Sequence, residues 1–286
     1  MHLDLSFFIY GLALFGAGLA CGLINTLASS GSAISLPVLM MLGLSPINAN
    51  ATNRLPVLFG SLMALHTFER NHQVKWRAGF VIAIPATIGS VIGVLAAEAV
   101  PHRDIALIIT AAVLAALLLL FTKLRQMLQR NSSKPEYVTT LGLLAMLGVG
   151  FWLGFIVLDG ATYLLLVLIL MFRFDFVHAN ALKVLLLVTT TLVPIAMFAR
   201  AGNVRWMEGM LMSAGSLAGG YLGARLTMQE RAKFWVFRIL VAVLLLEIVH
   251  LGIQYGAPYL PRQTISFSPS CFFCRRSIPI PSHLTA

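Results

Sequence analysis

Two pairs of polar clusters in an otherwise apolar chain carry the residue types that could do chemistry. The first pair is Asn25, Thr26, Ser29, Ser30, Gly31 and Ser32, with Asp159, Gly160 and Thr162 in the corresponding place later in the chain. The second pair heads two apolar runs: Asn48, Asn50, Thr52, Asn53 and Arg54, then His178, Asn180 and Lys183. Hydroxyls, amides and one cation per half are the donors a small oxyanion needs, since its oxygens accept hydrogen bonds and its charge calls for an opposite one. If Ile34 begins a helix, Ser30–Ser32 present free backbone N–H groups at an end carrying about half a positive charge. The same residue types also serve as plain helix caps. Arg54 and Lys183 have a second reading too, as anchors whose stems snorkel to the membrane surface. Asp159 reads either as a proton carrier in coupled transport or as a cap.

Constellations of soluble enzymes are missing from the sequence. It holds no Walker loop, HExxH, GxSxG or nucleotide fingerprint. The histidines are scattered, and Cys271 and Cys274 have the spacing of half a zinc site without a second pair. No catalytic residue, metal or cofactor is expected, and the chain does not read as an enzyme. The competing class is a membrane redox or enzyme-type protein acting within the bilayer. It needs cysteine or histidine pairs inside the apolar runs, where only Cys21 lies among the cysteines. A membrane scaffold leaves the duplicated clusters without a purpose.

The elements that position these clusters follow from composition. Of 286 residues, 59% are hydrophobic and 10% charged, where a soluble domain carries about 25% charged residues. Apolar segments run at 5–28, 34–44, 47–69, 77–98, 104–122, 138–158, 161–172, 177–199, 207–227 and 234–256. The expectation is an all-α, polytopic integral membrane bundle of about eight spans with two short or broken segments. The piece 34–44, about 11 residues at roughly 1.5 Å each, reaches little more than half of a ~30 Å hydrocarbon core. Non-helical backbone at that depth survives only against protein or water, and short segments at matching places in two halves mark a transporter's binding site. The net charge of +10 belongs to short loops that set topology, so nucleic acid is not an expected partner. The run 5–28 has no basic stretch before it and reads as a retained span rather than a signal peptide.

An internal repeat appears at an offset of 130 residues. Residues 48–93 and 178–223 share 12 identities in 46 positions without a gap, among them Asn50 and Asn180, Trp76 and Trp206, and Gly89 and Gly219. The chain therefore divides into a first repeat (1–122), a basic cytoplasmic loop (123–136), a second repeat (137–256) and a Pro- and Ser-rich tail (257–286) expected to be disordered. Loop charges leave open whether the repeats run parallel or inverted. GSVIG (89–93) and GGYLG (219–223) place small residues four apart, a spacing for close helix packing. The two breaks, 29–32 and 159–162, are expected to face each other near the membrane midplane.

GLINTLASSGSAISLPVLMMLGLSPINANATNRL (22–55), HANALKVLL (178–186) and GGYLGARL (219–226) resemble motifs of the sulfite exporter TauE/SafE family, also called the 4-toluene sulfonate uptake permease family. The resemblance covers about residues 5–256. It implies a multi-pass permease of the bacterial cytoplasmic membrane, exporting or taking up sulfite, sulfonates or related organic acids, with export the expected direction. The partners it implies are a small anionic substrate and the lipid bilayer, and it leaves room for a homo-oligomer. Ser29-Ser30-Gly31-Ser32 departs from the family's glycine-rich pattern, and Asp159 stands where many members have small residues.

Overall fold

The computed structural model describes residues 5–99, 138–156 and 160–229. These form eight helices and no strand. The first four are α1 (Leu5–Ala28), α2 (Ser32–Met41), α3 (Pro46–Arg70) and α4 (Trp76–Ala99). They are followed by α5 (Thr140–Phe155), α6 (Gly160–Leu170), α7 (Phe176–Arg200) and α8 (Trp206–Thr227). The expected segments 104–122 and 234–256, the loop 123–136, the tail 257–286 and Asp159 lie outside the described residues.

Helix starts follow local chemistry. Ser45 caps α3 by accepting from the Asn48 N–H, and Pro46 occupies the first helical position, where a missing N–H costs nothing. Asp175 does the same for α7 through the Val177 N–H, and its other carboxylate oxygen meets His178 Nδ1. Thr139 caps α5 through the Gly142 N–H at 3.2 Å. Both α3 and α7 are 25 residues long and begin and end 130 residues apart. The turns repeat at the same offset. Gly43 and Arg173 are left-handed at φ of 89° and 64°, and His72 and Gly202 at 56° and 72°.

Burial is distributed as in a protein whose outside is lipid. On α4, Phe80, Ile84, Ile88, Ile92 and Leu95 are exposed at near-helical spacing, while Arg54, Asn53, Asn180 and Lys183 are buried. Water would penalise so long an apolar stripe. Among the described residues, three helices are long and apolar enough to span a membrane: Phe8–Leu27, Trp76–Ala97 and Phe176–Arg200. α3 has the length but carries the polar cluster 48–54 in its first turns. With 10 and 11 residues, α2 and α6 cross only about half of a ~30 Å core.

The halves pack crosswise. α8 runs along α1 and α3, and α4 along α5 and α7. A Cβ at Gly219 would overlap the Leu19 carbonyl, and one at Gly89 the Leu147 carbonyl; Gly150 and Gly154 approach the Ala86 and Ser90 carbonyls just as closely. The small-residue pairs thus do what their spacing implies, bringing helix backbones together. The glycine contacts on α1 and α5 recur 128 residues apart rather than 130. This reciprocal packing holds the ends of α1 and α5 beside the heads of α7 and α3.

Candidate functional site

The first break is a tight reversal. α1 ends at Ala28, and Ser29 takes a left-handed φ of 69° while its N–H reaches back to the Asn25 carbonyl at 3.2 Å. A non-glycine residue in that region is uncommon, and such strain persists only where surrounding contacts enforce it. Helix α2 then starts at Ser32, two residues before the expected Ile34. Its cap position is Gly31, and no side chain makes the capping bond, so the cap reading of Ser30 and Ser32 does not hold for α2. The N–H groups of Ser30 and Gly31 find no backbone partner among the described residues. Gly31 is required by packing, because a Cβ there would overlap the Cys21 carbonyl and Asn25 on α1.

The second break meets the first. Thr162 Oγ1 lies 3.5 Å from Ser30 Oγ and donates to the Ser29 carbonyl at 3.5 Å. Gly160 sits against the Leu153 side chain, where a Cβ has no room. The expected approach of residues 29–32 to 159–162 is present at Ser29, Ser30 and Thr162.

Both cations close on these breaks, each from the opposite half. Lys183, 0% exposed, donates to the carbonyls of Asn25 (2.8 Å) and Thr26 (3.0 Å) in the last turn of α1, to Ser29 Oγ (3.0 Å) and to Asn180 Oδ1 (2.7 Å). Arg54, 1% exposed, donates from Nη1 to the Leu153 carbonyl (2.9 Å) and from Nη2 to the Gly154 carbonyl (2.7 Å) at the end of α5. Leu153 and Gly154 follow Asn25 and Thr26 by 128 residues, the register in which α1 and α5 repeat their glycine contacts. A cation at a helix C-terminus meets carbonyls that lack intrahelical donors and the negative end of the dipole. The guanidinium also lies 5.0 Å from the Phe198 ring centre, worth about 2 kcal/mol where water is excluded. Among the described residues neither cation has an acidic partner within 4 Å.

The asparagines complete the shell. Asn50 Nδ2 donates to the Phe155 carbonyl at 3.3 Å, so residues 50 and 54 of α3 hold three successive carbonyls of the α5 end. Asn53 Oδ1 accepts from Ser35 Oγ at 2.5 Å. Asn53 Nδ2, Arg54 Nε and Ser61 Oγ are buried with no hydrogen-bond partner among the described residues. Every expected site residue within the described part therefore lies at or beside the paired breaks: Asn25, Ser29, Ser30, Gly31, Ser32, Asn50, Asn53, Arg54, Gly160, Thr162, Asn180 and Lys183. Sequence reasoning passed over Ser35 and Phe198. Phe198 left a signal, since it is identical to Phe68 in the 130-residue register; Ser35, on the face of a short apolar helix, left none.

Residues 14–251 match the profile of the family described as Sulfite exporter TauE/SafE. Among curated relatives, a "Probable membrane transporter protein" of Haemophilus influenzae is 30% identical over 219 residues, covering 76% of this chain and 85% of its own length. "Probable membrane transporter protein ORF9" of Sinorhizobium sp is 28% identical over 232 residues, covering 80% and 87%. "Probable membrane transporter protein YfcA" of Escherichia coli K12 is 28% identical over 220 residues, covering 77% and 81%. No solved structure matches the chain. With the profile spanning most of its length, the chain belongs to the sulfite exporter TauE/SafE family.

Proposed function

We propose that this protein is a secondary transporter of a small oxyanion with a sulfite- or sulfonate-type head group, exporting it across the bacterial cytoplasmic membrane. In this reading two repeats, 1–122 and 137–256, enclose a shared site at their breaks. The observation that carries it is the pair of fully buried cations, Arg54 and Lys183, which have no acidic partner among the described residues. The C-terminal ends of α1 and α5 and the N-terminal ends of α2 and α6 meet there, so their half charges offset one another. Among the described residues no carboxylate offsets the two side-chain charges, and a buried cation of that kind costs several kcal/mol unless an anion joins it. The names of the relatives support transport, and the family's name supports sulfite as a first candidate. Backbone broken within the bundle, with polar side chains around it, suits a site reached through a water-filled path.

The test is flux. Purified protein in liposomes should move radiolabelled sulfite and methanesulfonate saturably, with a rate that changes when a proton gradient is imposed. Flux no faster than in protein-free liposomes for both anions, with and without the gradient, would contradict the proposal.

A further inference from the structure

Arg54 and Lys183 share burial and charge, but their hydrogen bonds divide them. An ammonium has three protons, and that of Lys183 faces four oxygens within 3.0 Å: two carbonyls of α1, Ser29 Oγ and Asn180 Oδ1. It has no proton to offer a ligand without giving up an internal bond. A guanidinium has five N–H bonds, and Arg54 Nε is buried with no partner among the described residues. Beside it in sequence, Asn53 Nδ2 is buried and equally without an acceptor, while Ser35 holds the oxygen of the same amide. Buried donors left unpaired are costly and rare, and they point to a ligand or water. The other half has no such edge. Its equivalents of Asn53 and Arg54 are Lys183 and Val184. Val184 joins an apolar cluster with Phe68, whereas Arg54 lies over Phe198, the counterpart of Phe68.

Resting on the small-anion reading, we infer that the two cations do unlike jobs: Arg54 Nε and Asn53 Nδ2 of α3 bind the oxyanion directly, and Lys183 is a positioning residue that ties α7 to the end of α1. The ligand class is an oxyanion with two or more oxygens on one atom, which accepts from both donors. The site is one-sided although the scaffold around it repeats.

Asn53→Asp separates the alternatives. It keeps the oxygen that Ser35 bonds and replaces the unpaired donor with a negative acceptor. If the donor is only a structural orphan, a carboxylate next in sequence to the buried Arg54 leaves transport intact or steadies the fold. The inference requires that it raise the Michaelis constant for methanesulfonate in liposomes at least tenfold, the scale of a lost charge-assisted bond. Lys183→Gln should lower the maximal rate while its Michaelis constant stays within about threefold of wild type. As a check independent of turnover, methanesulfonate should raise the melting temperature of the wild type and of Lys183→Gln but not of Asn53→Ala. Wild-type flux with an unchanged constant in Asn53→Asp, or a melting shift retained by Asn53→Ala, overturns the inference alone. No flux of sulfite or methanesulfonate by the wild type overturns it together with the anion reading.

Discussion

Arg54→Gln is expected to cost transport much and folding little. The substitution removes two charge-assisted bonds to the Leu153 and Gly154 carbonyls, each worth about 1.5–3 kcal/mol. It also removes a buried charge with no acidic partner among the described residues, whose desolvation costs several kcal/mol. These effects oppose each other in the folded protein, and the glutamine amide can serve one of the two carbonyls. Only the attraction for the substrate is lost without compensation. The apparent affinity for methanesulfonate should fall about ten- to a hundredfold, while the melting temperature in detergent moves by a few degrees at most. Matched flux and melting measurements on purified variant and wild type check this. A large melting loss with unchanged affinity would make Arg54 a strut and not a ligand.

The second large effect is expected from joining the breaks. Ser30 and Thr162 place their hydroxyl oxygens 3.5 Å apart, within reach of disulfide geometry after modest rotation. Ser30→Cys with Thr162→Cys, in a chain whose Cys21, Cys271 and Cys274 are replaced by serine, should cross-link under mild oxidation. Alternating access rocks one half against the other around a fixed site, so the cross-linked form should stop carrying anions and recover on reduction. Undiminished flux in the fully cross-linked protein would show that the breaks stay together through the cycle.

Much of this architecture was legible because membrane helices announce themselves by length and hydropathy. The segment 177–199 became Phe176–Arg200, 77–98 became Trp76–Ala99, and 161–172 became Gly160–Leu170. The short α2 differed more, beginning at Ser32 instead of Ile34, because Gly31 lets the chain turn directly against α1. The polar clusters marked where the breaks meet, since asparagines and cations within apolar runs need partners. What sequence did not reveal was the identity of those partners. Arg54 and Lys183 bind backbone carbonyls at Leu153, Gly154, Asn25 and Thr26, and a carbonyl has no sequence signature. The crosswise arrangement arises from glycine contacts between halves, which pattern alone reads as packing without saying against what. The asymmetry was visible as Asn53-Arg54 aligned with Lys183-Val184, but the donors it leaves unpaired were not.

An oxyanion is expected where the two breaks meet, against the unpaired Nε edge of Arg54. The most direct measurement is anomalous diffraction from crystals grown with 2-bromoethanesulfonate, whose bromine reports the ligand's place. A bromine peak is expected beside the paired breaks, with the sulfonate oxygens within hydrogen-bond distance of Arg54 Nε and Asn53 Nδ2. A well-occupied peak elsewhere in the bundle, with Arg54 and Asn53 untouched by ligand, would contradict it.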